Sequence, residues 1–269
     1  MDRPIRLLST DFDGTLVAHD TDPVLDPRCM DFIAQLQSEG AIWAINTGRS
    51  VSLLESGLID FEFPIHPDFI LTSERDVFCP SANGGEKWRP FGEWNTRVAR
   101  DHEEMFANAS SVLAEVLDFV NHKTRARVIY ERDNVEGLIA QDEAEMDRIV
   151  RFIDHARAPH PKFHYQRNTV YLRFCHVDYH KGAALAELSR LLDIPRENIF
   201  AAGDHHNDIS MLDGRYAQFP ACPANAIPEV KEAVRQAGGY VADENCGAGV
   251  YEALRYFTTS NAHLPPESH

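Results

Sequence analysis

Two aspartates one residue apart, Asp11 and Asp13, close the apolar run Ile5-Arg6-Leu7-Leu8-Ser9-Thr10 and are followed at once by Gly14 and Thr15. Carboxylates are costly to bury inside a sheet, so the pair is expected at the C-terminal end of a strand, where open α/β sheets bind ligands. Alternation along the strand puts Asp11 and Asp13 on one face and turns Phe12 the other way. Gly14 allows a sharp turn or a close approach of backbone N–H groups to an anion. Two carboxylates this close repel each other unless a cation or a shared proton relieves them. The chemistry offered is a hard divalent ion, Mg2+ foremost, beside a nucleophilic carboxylate. Taken alone, Asp-Phe-Asp-Gly also reads as a plain turn with solvated carboxylates, so the rest of the chain has to decide.

Three more polar groups sit where an apolar run stops or a helical pattern starts. Ala41-Ile42-Trp43-Ala44-Ile45 reads as a buried strand ending in Asn46-Thr47-Gly48-Arg49-Ser50. His180-Lys181-Gly182 opens a helix that carries Ala184, Leu185, Leu188, Leu191 and Leu192. Asn198-Ile199-Phe200-Ala201-Ala202 runs into a second acidic terminus, Gly203-Asp204-His205-His206-Asn207-Asp208. Each has a plainer alternative. A threonine before a helix is usually its N-cap, and a lysine at a helix start is usually solvated. For Asp208 a helix-capping or helix-dipole role stands level with direct metal contact. His205 and His206 are adjacent and lack the i, i+4 geometry of a helical zinc pair, so they read as loop residues near a pocket. Arg49 reads either as a substrate contact or as the partner of a nearby carboxylate.

The elements that must hold these groups alternate. After the first strand, the polar stretch Val17 to Pro27 is a loop, and Asp26-Pro27 starts a helix with Asp26 as N-cap and Pro27 at its first position. That helix carries Met30, Ile33, Ala34 and Leu36 and stops at Gly40. A helix over 51–58 follows the second strand, and Phe69-Ile70-Leu71 is a third strand ending at Thr72-Ser73. Strands alternating with helices imply a parallel sheet with its strand ends on one edge. From residue 77 the pattern changes. Ser81-Ala82-Asn83-Gly84-Gly85 reads as the turn of a hairpin, and a long amphipathic region covers 94–121. Strands are expected over 125–130 and 136–140 and a helix over 143–156. A strand pair, 163–165 and 169–174, turns at Arg167-Asn168. This is an inserted α+β domain, 77–176, within a discontinuous α/β domain, 1–76 and 177–258. In the second half, Tyr216-Ala217-Gln218 and Gly239-Tyr240-Val241 read as small strands, with helices from Pro228 and over 248–257, and a mobile tail over 259–269.

Composition bounds the partners. Hydrophobic residues make up 43% and charged residues 25% of the 269, ordinary for a soluble globular protein. A formal charge of −16 disfavours nucleic acid and anionic membrane surfaces. The five cysteines are scattered and form no CxxC pair, as expected of reduced thiols in a cytoplasmic protein. The N-terminus lacks a signal-peptide core, and no apolar run approaches the roughly 20 residues of a membrane helix.

The order and setting of Asp-Phe-Asp-Gly-Thr-Leu, Asn-Thr-Gly-Arg, His-Lys-Gly and Gly-Asp-His-His-Asn-Asp resemble the haloacid dehalogenase superfamily over 1–76 and 177–258. That resemblance implies a Rossmann-like parallel-sheet core and gives each residue a role. Asp11 would be the nucleophile that forms an aspartyl-phosphate, and Asp13 the general acid and then base. Mg2+ would be held by Asp11, the backbone carbonyl of Asp13, and Asp204. Thr47, Gly48, Lys181 and Asn207 would bind the phosphoryl oxygens, with Asp208 completing the metal's surroundings or orienting Lys181 and water.

The insert between Thr47 and Lys181 resembles the large B-type α/β cap, found in Cof-like sugar phosphatases, sucrose-phosphate phosphatases, mannosyl-phosphoglycerate phosphatases and phosphomannomutases. Thr72-Ser73, Trp88, Trp94, Asn225-Ala226-Ile227-Pro228-Glu229 and Ala248-Gly249-Val250 are similar to the sucrose-phosphatase side. Asn168 to Arg173 is the counterpart of a strand-and-turn that family members use for sugar contact, although it departs from the sucrose-phosphatase pattern; Arg173, with Arg49, is a candidate substrate residue. The expected function is a Mg2+-dependent phosphomonoester hydrolase for a small phosphorylated metabolite, most readily a sugar phosphate. The rivals are a phosphohexomutase, for which Arg125, Arg127, Arg167 and Arg173 could form a second phosphate site, and a non-catalytic phosphometabolite-binding protein. The sequence leaves oligomeric state and the identity of the ester open.

Overall fold

The computed structural model describes residues 5–81, 87–131 and 134–260. Its chain divides into two compact units, 1–95 with 181–269 and 96–180. In chain order the first unit opens with β1 (Leu7–Thr10), α1 (Pro27–Ser38), β2 (Ile42–Asn46), α2 (Val51–Asp60), β3 (Phe69–Thr72), β4 (Asp76–Pro80) and β5 (Trp88–Pro90). Then come α3 (Trp94–Asn108), α4 (Ser110–Lys123), β6 (Arg127–Glu131), β7 (Asn134–Ile139), α5 (Glu143–Ala156), β8 (Phe163–Asn168) and β9 (Tyr171–His176). The first unit resumes with α6 (Lys181–Leu192), β10 (Ile199–Ala202), α7 (Ile209–Leu212), β11 (Phe219–Cys222), α8 (Pro228–Gln236), β12 (Tyr240–Val241) and α9 (Cys246–Ser260).

The expected α/β architecture forms. The first unit is built on an eight-stranded sheet in the order β12-β11-β10-β1-β2-β3-β4-β5. From β12 to β3 all neighbours are parallel, with Leu7–Thr10 in register with both Ile199–Ala202 and Ile42–Ile45. Parallel strands covered on both faces are largely apolar, and β1 and β10 are buried at every residue, Ser9 and Thr10 included. The chain builds outward from β1 through β2 and β3, then restarts at β10 on the other side of β1 and builds outward through β11 and β12. The strand order therefore reverses between β1 and β10, and a crevice opens beyond their C-terminal ends at such a point. Phe12 does turn away from the aspartates into the core, fully buried and stacked on Phe63.

The second unit is a four-stranded antiparallel sheet, β6-β7-β9-β8. Val112, Val116 and Val120 of α4 and Met146, Ile149 and Ile153 of α5 pack against Leu138, Phe163, Leu172 and Phe174 of its strands. Asp142 caps α5, accepting from Glu145 N at 2.8 Å.

Several boundaries differ from the sequence reading. The β4–β5 hairpin, assigned there to the insert, extends the core sheet, with Val77 and Phe78 paired antiparallel to Leu71 and Ile70. A hairpin pattern looks the same locally whether it ends one sheet or begins another domain. Its turn, 82–86, lies outside the described residues. The amphipathic region is two helices, α3 and α4, broken at Ala109. The strand pair turns at Thr169-Val170, where Thr169 adopts a left-handed φ of 50°. The strand expected at 216–218 forms at Phe219–Cys222, because parallel pairing to Phe200–Ala202 fixes its position. Thr259 and Ser260, read as tail, complete α9; 261–269 lie outside the described residues.

Candidate active site

The reversal point collects the residues singled out by spacing. Asp11 leaves β1, its N–H bonded to Ala202 O at 2.9 Å, so its carboxylate stands beside the end of β10. There Gly203 and Asp204 begin the turn that holds Asp208. Two glycines make the approach possible. A Cβ on Gly203 would fall on the Asp208 carboxylate, and one on Gly14, at φ +74°, would stand 2.5 Å from Asp204 Oδ2. Asp208 is fully buried and accepts from the backbone N–H groups of Asp204 and His205, both at 2.9 Å. It therefore organises its own loop, taking the capping place at the short helical turn that follows Asp204.

Lys181 begins α6 yet is fully buried, unlike a solvated helix-start lysine. Its Nζ donates to Asp11 Oδ1 at 2.7 Å and to Asp208 Oδ1 at 2.6 Å. Its backbone carbonyl accepts from Asn46 Nδ2 at 3.1 Å, so the end of β2 fixes where the lysine enters. Burial alone would lower the ammonium's pKa, but Asp11 and Asp208 outweigh it and drive it above the usual lysine range. Ligand oxygens of Asp11, Asp204 and Asp208 lie within 4.8 Å of one another. Burial first, and then the charge of Asp208, push the Asp11 carboxyl well above its ordinary range despite Lys181. The same two causes raise Asp204 to about 7, against the 2.8 Å hydrogen bond it receives from Thr15. Three carboxylates sharing one ammonium leave negative charge uncompensated, and an all-oxygen donor set of this kind fits a hard divalent cation. His205 and His206 pack edge to face on the same turn and belong to no such metal-ligating group among the described residues.

Thr47 is buried and is not the helix cap: Ser50 takes that place, accepting from Leu53 N. Its Oγ1 accepts from Arg49 N at 3.1 Å, which leaves the hydroxyl proton to donate elsewhere. Asp13 diverges from Asp11. Its carboxylate is gripped by Arg49, Nε to Oδ2 at 2.7 Å and Nη2 to Oδ1 at 2.6 Å, and touched by His19 Nε2 at 2.8 Å. Burial would raise the Asp13 carboxyl, but the Arg49 hydrogen bonds and charge, helped by His19, hold it below its ordinary value. Of the two readings of Arg49, the structure shows the carboxylate partner.

Asn207 is buried, and its Nδ2 donates to Glu74 Oε1 at 2.8 Å. Glu74, Asn46, His19 and Thr15 were not singled out by spacing. Asn46 and Thr15 lie inside the motifs and could have been, whereas a glutamate in Ser73-Glu74-Arg75 carries no signal of burial. Arg173 belongs to the second unit, where it is buried on β9 and paired with Glu136 at 2.7 Å.

A family model described as haloacid dehalogenase-like hydrolase matches residues 57–254. The chain belongs to the haloacid dehalogenase-like hydrolase family. It is 25% identical over 254 residues to a phosphoglycolate phosphatase of Thermoplasma volcanium, covering 94% of this chain and 98% of that protein. It is also 25% identical over 266 residues to a glucosylglycerol-phosphate synthase of Pseudomonas anguilliseptica, covering 93% of this chain but 30% of the synthase. The fold is similar to the sucrose-phosphatase of Synechocystis, solved with sucrose and phosphate. That likeness has a TM-score of 0.70 at 17% identity, covering 95% of this chain and 98% of that one. As a member of this hydrolase family with phosphatase relatives, the chain is a phosphatase. No helix among the described residues is long and apolar enough to cross a membrane.

Proposed function

We propose that this phosphatase hydrolyses a small phosphate monoester, a sugar phosphate foremost, with Mg2+ and through an aspartyl-phosphate on Asp11. The observation that carries the reading is the fully buried Lys181 ammonium, bonded at once to Asp11 and Asp208 beside Asp204. A lysine is buried at this cost where a site needs fixed positive charge in a dry pocket, as phosphoryl transfer does. Asp11, Asp204 and the backbone carbonyl of Asp13 would hold Mg2+, with Asp208 adjoining. The ion would neutralise phosphate charge so that a carboxylate can approach.

The chain's own groups divide the remaining work. Asp11 attacks phosphorus, and the ester oxygen leaves with a proton from Asp13. Asp13, then a base, takes a proton from the water that cleaves the aspartyl-phosphate, releasing inorganic phosphate and restoring Asp11. The Lys181 ammonium and the Thr47 hydroxyl bind the phosphoryl oxygens as charge builds on them. Two of the four arginines that could have formed a mutase's second phosphate site, Arg167 and Arg173, are engaged with Asp147 and Glu136, which favours simple hydrolysis. Five cysteines, none of them in a disulfide, fit a reducing, cytoplasmic setting. The test is a screen across hexose, disaccharide and three-carbon phosphates, with and without Mg2+. Mg2+-dependent release of phosphate supports the reading. Metal-independent turnover, or binding without release, overturns it.

A further inference from the structure

Beyond Thr72 the chain leaves β3 through two consecutive non-glycine residues in left-handed conformation, Ser73 at φ 51° and Glu74 at φ 65°. Such backbone persists where its surroundings enforce it, and it concentrates at functional sites. Here Ser73 N donates to Arg49 O at 2.9 Å and Glu74 N to Thr47 O at 3.0 Å, so the turn is laced to the Thr47-Gly48-Arg49 loop. The result is a glutamate only 5% exposed, with Oε1 3.3 Å from where a Cβ on Gly48 would stand.

Glu74 fixes Asn207. A carboxylate only accepts, so the amide must turn Nδ2 toward Glu74 Oε1, as it does at 2.8 Å. Asn207 Oδ1 is thereby committed to another direction. Neither Glu74 Oε2 nor Asn207 Oδ1 has a hydrogen-bond partner among the described residues, and both are buried. Two adjoining buried acceptors without a donor are costly unless something bound supplies the donors.

We propose that Glu74, with Asn207, is a specificity-determining pair that accepts hydrogen bonds from hydroxyl groups of the substrate's alcohol portion and rejects alcohols bearing a carboxylate. The inference rests on the reading of this site as that of a phosphatase. Neutral hydroxyls satisfy both orphan oxygens, whereas a second carboxylate beside Glu74 meets like charge and leaves them without a donor. The pair separates the chemistries named by the relatives: a polyol phosphate fits, and phosphoglycolate does not.

The experiment compares kcat/KM for a hexose phosphate, phosphoglycolate and p-nitrophenyl phosphate in the full chain, in Glu74→Gln and in Glu74→Gly. Glutamine keeps the shape and loses the charge; glycine keeps the left-handed backbone and loses the side chain. The expected result is a hexose phosphate preference that narrows about tenfold or more in both variants. Equal losses on all three substrates would mark Glu74 as a merely structural support of Asn207 and overturn the proposal, as would a native preference for phosphoglycolate. p-Nitrophenyl phosphate has neither hydroxyl donors nor a carboxylate and reports phosphatase chemistry alone. Its turnover with an unchanged ratio sinks only the role of Glu74, whereas no turnover of any ester removes the phosphatase reading and this inference with it. Thermal unfolding of both variants identifies misfolding, and a folded Glu74→Gly with an unaltered ratio also overturns the proposal.

Discussion

Arg49 grips Asp13 at two points, Nε on Oδ2 at 2.7 Å and Nη2 on Oδ1 at 2.6 Å, while its guanidinium lies 4.7 Å over the Phe12 ring. The fork matches a carboxylate as an ammonium cannot. It favours the ionised Asp13, the state of a base, although the proposed donation to a leaving alcohol needs the proton. Arg49→Lys and Arg49→Ala should therefore raise the Asp13 pKa. Whichever state a step requires, the limb of the pH–rate profile that reports Asp13 moves to higher pH. We expect kcat to fall about 10- to 100-fold in Arg49→Ala. An unmoved profile would show that Arg49 does not set this proton.

Removing charge from the buried centre should separate chemistry from stability. Asp11→Asn deletes the proposed nucleophile, and turnover should drop about a thousandfold or more. It also removes one of three crowded carboxylates, so the metal-free protein should unfold at the same or higher temperature. Lys181→Met does the opposite to stability. It strands Asp11 and Asp208 without their cation, a loss of about 3–5 kcal/mol in denaturant unfolding. Near-native kcat in Asp11→Asn would falsify the covalent route.

The scaffold was legible in the sequence because buried parallel strands must be continuous apolar runs, and each such run stops abruptly at Asp11, Asn46-Thr47 or Gly203-Asp204. Placing Lys181 needed the third dimension. Its burial arises from Asp11 and Asp208, which lie 170 and 27 residues away in sequence. Glu74 was invisible for the same reason. Ser73-Glu74-Arg75 reads as a charged turn, and its burial appears only when the loop after β10 brings Asn207, 133 residues on, to its carboxylate. The β4–β5 hairpin was misassigned because pairing partners, not local pattern, decide which sheet a hairpin joins.

Gly57 offers a way to disturb Arg49 without touching it. A Cβ there would stand 2.7 Å from Arg49 Nη1 and 3.0 Å from Phe12 Cζ, on the face of α2 that the guanidinium lies against. Gly57→Ala gains up to about 1 kcal/mol of helix propensity. The displaced guanidinium then loosens its hold on Asp13. Stability should change little while the Asp13 limb of the pH–rate profile moves upward, as in Arg49→Lys. A large stability loss with an unmoved profile would mean that Phe12, not Arg49, takes up the strain.

Metal and pH should act on stability together. Asp204 titrates at about 7 in the fold against 3.8 for an ordinary aspartate, so between those values the folded state binds the extra proton. Its contribution is favourable at low pH and is lost as pH rises toward 7, at up to about 1.4 kcal/mol per pH unit. Asp11 is shifted in the same direction. In chelator, the unfolding temperature should therefore carry a downward contribution as pH rises from 5.5 to 7. A bound divalent cation needs both carboxylates ionised, so its stabilisation should grow over the same interval. Added Mg2+ should leave the protein little changed at pH 5.5 and raise its unfolding temperature by several degrees at pH 8. In Asp204→Asn both trends should weaken, because the amide neither releases the proton nor supplies the anionic ligand. A cation effect independent of pH, or undiminished in Asp204→Asn, would place the ion away from these carboxylates.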